Sequence, residues 1–194
     1  MPAPPKTSDA RIVAAARGLL ERNGRDGFSL NDVAAAVGVR APSLYRRFDD
    51  RAALLEAVEL SLWRDLGRSL AEAIVSHQPL ETLQSQARAY RAFARAHPNG
   101  YSLMFDVQSR PTEEGVSVRT DALAPALPAL TALVGPEYSL LAARVLTPFL
   151  HGFVSMEIGD AFRLGGGLDA AFEHGIATIL HGLARDRRRA RRSR

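Results

Sequence analysis

The sequence predicts an all-α protein: an N-terminal three-helix helix-turn-helix domain joined by a long fourth helix to a second all-helical domain, about nine helices in total. Three observations predict this. Apolar residues recur at three- and four-residue steps along nearly the whole chain, and no segment alternates with period two. Between Phe28 and Phe48 two short periodic segments meet at Gly38, and neither is long enough to be stable alone in water.

The elements follow in order. Residues 1–7 are Pro-rich and expected to be disordered. Ser8 or Asp9 starts a first helix carrying Ile12, Val13, Ala16, Leu19 and Leu20 to about Arg22, stopped by Asn23-Gly24-Arg25-Asp26-Gly27. Ser29 and Asp32 have the spacing of a capping box, Phe28 and Val33 that of a hydrophobic staple, and Leu30, Val33, Ala34 and Val37 share one face. Gly38 sits where a left-handed backbone is needed. A recognition helix is expected over 42–48, with Pro42 in its first turn and Leu44 and Phe48 inward.

Asp49 or Asp50 caps a fourth helix from Arg51 to about Val75, which would extend more than about 35 Å. A fifth helix is expected from Leu80 to His97, ended by Pro98-Asn99-Gly100, and a sixth from Tyr101 to Val107. Gln108–Glu114 reads as a polar loop. A seventh helix, Gly115–Leu133, must be kinked or interrupted by Pro125 and Pro128. An eighth runs from Glu137 to Arg163 around Pro148, and a last one from Leu168 to Arg185 after a glycine loop. The implied domains are 8–53, 54–184 and a basic, disordered tail at 185–194.

The formal charge of +4 is unevenly placed. Residues 185–194 carry seven Arg and one Asp, while residues 1–60 net only +1, so the isoelectric point says little about the helix-turn-helix face. The tail is either an arm touching phosphates non-specifically or a solubilising end. No cysteine is present, which suits a cytoplasmic protein, and neither a signal peptide nor a long uninterrupted apolar span is evident, so no membrane partner is expected.

The stretch Phe28–Leu55 resembles the DNA-binding domain of the Tet-repressor (TetR) family of bacterial transcriptional regulators. The resemblance rests on Gly27-Phe28-Ser29, Asp32-Val33-Ala34, Gly38-Val39, Leu44-Tyr45-Arg46-Arg47-Phe48, and Arg51 before Ala53-Leu54-Leu55. Arg40 departs from it, standing where the family usually has a Ser or Thr cap. The segments LHGFVSMEIGDAF and AFEHGIATILHGL resemble, more weakly, one of the family's C-terminal domain types. The resemblance implies a homodimeric regulator, by default a repressor, with double-stranded DNA as partner, a small-molecule inducer, a fourth helix that connects the two domains, and a dimer formed through the last two helices.

The candidate DNA-binding residues are Ser29, Arg40, Ala41, Pro42, Ser43, Tyr45, Arg46, Arg47 and Arg51. The first turn of a recognition helix meets base edges, so Arg40, Ala41, Pro42 and Ser43 face bases, with Arg40 equally suited to guanine and to phosphate. The resemblance makes Tyr45 a backbone contact, while Arg46, Arg47, Arg51 and Ser29 suit phosphates. A dimer would read two inverted half-sites.

In the second domain Trp63, Tyr90, Phe93, Tyr101, Met104, Phe105, Phe149, Phe153 and Met156 are candidates for an apolar ligand pocket, or for ordinary core. His97, Arg144, His151 and Glu157 offer polar contacts there. Phe149, Phe153, Phe172, Ile176 and Ile179 are candidates for a dimer face, since the last two helices are apolar over more than one side. No cofactor is expected and an enzyme reading fares poorly. The five histidines lack metal-ligand spacing, and Gly165-Gly166-Gly167 lacks the Lys and hydroxyl of a phosphate-binding loop. The alternative function is a helical adaptor acting through protein contacts without specific DNA binding.

Overall fold

The computed structural model describes residues 7–106 and 112–192, and every regular element among them is helical. The Pro-rich start at 1–6, residues 107–111 with the expected end of the sixth helix and the first part of the loop expected at 108–114, and the last two residues of the basic tail lie outside the described residues. Among the described residues there are ten α-helices: α1 Asp9–Asn23, α2 Leu30–Val37, α3 Pro42–Tyr45, α4 Arg51–Glu72, α5 Pro79–Ala96, α6 Pro98–Met104, α7 Glu113–Leu123, α8 Leu127–Val134, α9 Ser139–Ile158 and α10 Leu168–Arg192. The expected seventh helix is two helices, because Pro125 and Pro128 confine the backbone at 124–126 to a 3-10 turn.

The chain divides into two compact units. One comprises Met1–Arg64 with His97–Arg119, and the other Asp65–Ala96 with Thr120–Arg194. The helix α4 is continuous and about 33 Å long, its first part belonging to the first unit and its end to the second.

In the first unit α1 is capped by Ser8, whose hydroxyl accepts from Arg11 N at 3.3 Å, and it buries Ile12, Ala16 and Leu20 completely. Asp50 caps α4 by accepting from Ala53 N at 2.8 Å. Helix α6 begins at Pro98, not Tyr101: Pro98 is its first residue, and the carboxylate of Glu21 on α1 accepts the next two N–H groups, from Asn99 at 3.2 Å and Gly100 at 2.8 Å. The tripeptide that stops α5 therefore starts α6. A side chain at Gly100 would press on the Glu21 carboxylate and on Leu62, so glycine leaves room for the capping group there.

In the second unit α5, α8, α9 and α10 pack around Leu83, Ala87, Tyr90, Leu130, Val134, Leu146, Leu150, Phe172, Ile176 and Leu180. Helix α9 stops at Ile158 rather than Arg163. Asp160 takes φ 50°, and Ala161 N donates to Met156 O at 2.8 Å, the signature of a helix closed by a left-handed residue. Helix α10 runs to Arg192, past the expected end at Arg185, so residues 185–192 are helical rather than disordered. Arginine and alanine are good helix formers, and cationic residues are favoured at a helix C-terminus.

Candidate nucleic-acid interface and the cavity of the second unit

The helix-turn-helix is fixed by short-range bonds. Asp32 Oδ2 accepts from Ser29 N at 2.7 Å and from Ser29 Oγ at 2.6 Å, while Ser29 Oγ accepts from Asp32 N at 3.3 Å. Both halves of the capping box are thus made. These hydrogen bonds hold the Asp32 carboxyl below its ordinary value, the side-chain bond from Ser29 first and its backbone N–H second. Because Ser29 Oγ is engaged with Asp32, it reaches a phosphate only by sharing that hydroxyl. Gly38 ends α2 at φ 72°, ψ 33°, and Gly38 N and Val39 N donate to Ala35 O and Ala34 O.

The recognition element is shorter than expected. Only Pro42–Tyr45 is α-helical, and the chain continues to Phe48 as a turn in which Arg47 N and Phe48 N both donate to Leu44 O, at 2.8 and 2.9 Å. The start at Pro42 is as expected and the difference is at the other end, where Arg46, at φ −79° and ψ −10°, already leaves the regular helix. Leu44 is fully buried and Phe48 half-buried, so Tyr45 and Arg46 turn outward, Tyr45 with 53% exposure. Arg46 Nη2 donates to Ser43 Oγ at 3.3 Å. A groove lined by Thr7, Gly38, Val39, Arg40, Ser43, Arg46 and Arg47 runs beside this edge.

Two of the arginines expected at phosphates also make contacts within the unit. Arg47 pairs with Asp9 and donates from Nη2 to Thr7 O at 3.1 Å, tying the turn to the start of α1. Arg51 donates from Nε to Phe28 O at 3.3 Å and from Nη2 to Arg25 O, lies over the Phe28 ring at 5.1 Å, and stands 4.0 Å from Asp26. Its guanidinium closes the 25–28 loop against the first turn of α4.

The nine aromatic and sulfur residues expected around one pocket fall into two groups. In the first unit Trp63 stands edge-on to Phe105 at 5.4 Å, Phe105 meets Tyr101 at 4.9 Å, and Met104 is buried. Trp63 Nε1 donates to Glu59 Oε1 at 3.1 Å, and Arg119 Nε reaches the same oxygen at 3.1 Å. This is a satisfied core.

In the second unit Phe149 and Phe153 pack on Phe172 at 6.3 and 5.2 Å, Tyr90 and Phe93 are buried, and Met156 is 46% exposed. Phe172 and Ile176, expected at a dimer face, have 0% and 1% exposure within their own subunit, while Ile179 is half-buried. They belong to this core because the α10 residues 172, 176 and 180 point at α5, α8 and α9. Arg91 lies 4.8 Å from the Phe172 ring and forks onto Glu157. His151, half-buried, is held below its ordinary value by desolvation.

A cavity of about 100 Å³ does open in the second unit, and Tyr90 alone of the expected pocket residues lines it. The other walls are Leu70, Leu83, Gln86, Ala87, Leu123, Ala126, Leu130, Ala143, Leu146, Thr147 and Leu150. Gln86 is the residue sequence reasoning missed. It is 3% exposed, and its Nε2 donates to Leu70 O at 3.1 Å and to Pro125 O at 3.0 Å.

Two family models match the chain, one at each end. The family described as "Bacterial regulatory proteins, tetR family" matches residues 12–58, and "Tetracyclin repressor-like, C-terminal domain" matches residues 83–179. An uncharacterized HTH-type transcriptional regulator of Mycobacterium tuberculosis is 29% identical over 157 residues, covering 80% of this chain and 72% of its own length. Another from Bacillus subtilis is 27% identical, covering 89% of this chain and 90% of its own. Among solved structures, a protein of unknown function from Rhodococcus sp. RHA1 superposes with a TM-score of 0.82 at 25% identity, covering 95% of this chain and 99% of that one. A variant TetR from Acinetobacter baumannii AYE in complex with minocycline shares the fold, with a TM-score of 0.70 at 24% identity, covering 93% and 98%.

Proposed function

This chain belongs to the TetR family of bacterial transcriptional regulators, and from that premise we propose that it is a homodimeric repressor of the cytoplasm, binding a palindromic operator and released by a small, fairly apolar ligand. Residues 8–53 are the DNA-binding domain and 54–184 the regulatory and dimerisation domain. The observation that carries the reading is the outward Tyr45 and Arg46, held by the fully buried Leu44 of α3, the helix that follows the capped and glycine-closed α2. Such an edge suits a major groove because its orientation is set by the core beneath it rather than by flexible side chains. Arg40, Ala41, Pro42 and Ser43 meet base edges, with Arg40 on a guanine or on the adjoining phosphate. Tyr45 and Arg46 take the backbone, and their contacts place the first turn in register.

Dimerisation draws support from α9. Leu141, Val145 and Met156 lie on one side of it with 54%, 44% and 46% exposure, and Gly152 between them presents no side chain. An apolar row of that length on an isolated subunit is covered by a second copy. On α10, Gly182 likewise faces open space, which permits close helix approach. Two-fold symmetry then sets the recognition edges about one turn of DNA, or a multiple, apart.

Release follows from α4, whose last carbonyls belong to the second unit and whose first turn is held by Arg51 to the 25–28 loop. A ligand that moves the end of this helix moves its start. The test is selection of bound duplexes from random DNA by the full-length protein. The reading expects an inverted repeat to be enriched, and enrichment of no sequence, or of an asymmetric one, would overturn it.

A further inference from the structure

Gln86 sits on α5 at the wall of the 100 Å³ cavity, and its amide has one way to lie. Both neighbouring backbone groups, Leu70 O and Pro125 O, are acceptors, so both must be met by Nε2; the reverse orientation would set oxygen against oxygen. The consequence is that Oε1 is buried with no partner among the described residues. A buried amide oxygen left unpaired is unfavourable enough to need a donor from outside the chain.

Resting on the ligand-released regulator argued above, we propose that this cavity takes a compact, neutral, largely apolar ligand whose single O–H or N–H donates to Gln86 Oε1, a phenol being the simplest member of the class. The walls supply the rest of the selectivity. Leu83, Leu130, Leu146 and Leu150 bring only hydrocarbon, and no carboxylate or cationic side chain is among the lining residues, so a charged ligand would enter without a counter-ion. The size excludes anything much larger than one ring unless the walls part.

The same amide explains how occupancy is felt. Its Nε2 bridges one of the last carbonyls of α4 and the carbonyl of Pro125 in the 3-10 turn between α7 and α8. A ligand polarising Oε1 strengthens both donations and sets the spacing between the end of α4 and that turn.

The experiment uses the full chain with phenol and toluene, which have equal numbers of heavy atoms and differ in the donor. Affinities are measured by calorimetry, and the side-chain amide of Gln86 is followed by nitrogen-15 NMR. The proposal expects phenol to bind the unaltered protein about tenfold more tightly than toluene and to shift the Gln86 amide signal, which toluene leaves in place. In Gln86→Met the phenol advantage disappears while toluene still binds. Equal affinity for the two probes, a phenol preference that survives Gln86→Met, or binding of neither, with Oε1 satisfied by solvent alone, would each overturn it; the NMR result on unaltered protein decides the matter even where Gln86→Met does not fold. Any of these with operator binding intact leaves the regulator reading standing. Loss of that reading is seen separately, as absence of sequence-specific DNA binding without any probe.

Discussion

Arg91 and Glu157 face each other through two parallel hydrogen bonds, Nε to Oε2 at 2.7 Å and Nη2 to Oε1 at 2.6 Å, with 9% and 11% of the two side chains exposed. Asp169 adds a second carboxylate at 2.8 Å and Phe172 an aromatic face at 4.8 Å, so one guanidinium joins α5, α9 and α10. The bonds that Arg91 donates to Glu157 are the first cause of its raised pKa.

Removing one partner of a buried pair strands the other. Arg91→Met is expected to lower the unfolding free energy by about 3–5 kcal/mol, and Arg91→Met with Glu157→Met to recover most of that loss. Urea unfolding of the two variants at one protein concentration checks both.

Gly38 holds φ 72° with nothing within reach of an added Cβ, so the effect of a side chain there is purely conformational. Gly38→Ala should destabilise the protein by about 1–2 kcal/mol, and Gly38→Asn by less, because Asn tolerates the left-handed region better. The ranking, read by thermal unfolding, is the discriminating result.

Gly175 and Gly182 lie two turns apart on α10 and predict opposite behaviour. A Cβ on Gly175 would run into the Phe149 ring, so Gly175→Ala should destabilise the subunit by about 1–3 kcal/mol. Around Gly182 the subunit leaves open space, so Gly182→Ala should keep or slightly improve helix stability while weakening the dimer. Sedimentation equilibrium beside unfolding curves separates the two.

The depressed Asp32 pKa makes the capping box sensitive to acid. Its contribution to stability is fully present above the unfolded-state value, near 3.8, and is lost as pH falls through the lower folded-state value. Wild type should therefore exceed Asp32→Asn by a constant margin at neutral pH, and the margin should close only below about pH 4. An unchanging margin down to pH 2 would contradict this.

What the sequence made legible was local. Ser29, Asp32, Gly38 and Leu44 act on neighbours within a few residues, so their types and spacing specify the turn. The interruption at Pro125 and Pro128 was readable for the same reason. Arg47 and Arg51 were not, because their partners Asp9 and Arg25 are far away in sequence, and an arginine beside a recognition helix carries the same pattern whether it meets phosphate or a backbone carbonyl. Pro98 looked like a stop and is a start, since the group that caps α6 comes from Glu21. Aromatic residues could be counted but not sorted into units, which placed Trp63 and Phe105 in a pocket they do not line. A single glutamine on a helix has no periodicity to mark it, and only the two carbonyls facing Gln86 give it meaning.

Binding of the operator by the Tyr45 and Arg46 edge is read from a salt-controlled mobility assay of Tyr45→Ala with Arg46→Ala. Both side chains point outward, so the double variant should fold and dimerise as before. Operator affinity should fall by at least about a thousandfold, two contacts of roughly 1–2 kcal/mol each being removed from each half-site. Unchanged affinity in a folded, dimeric double variant would contradict it.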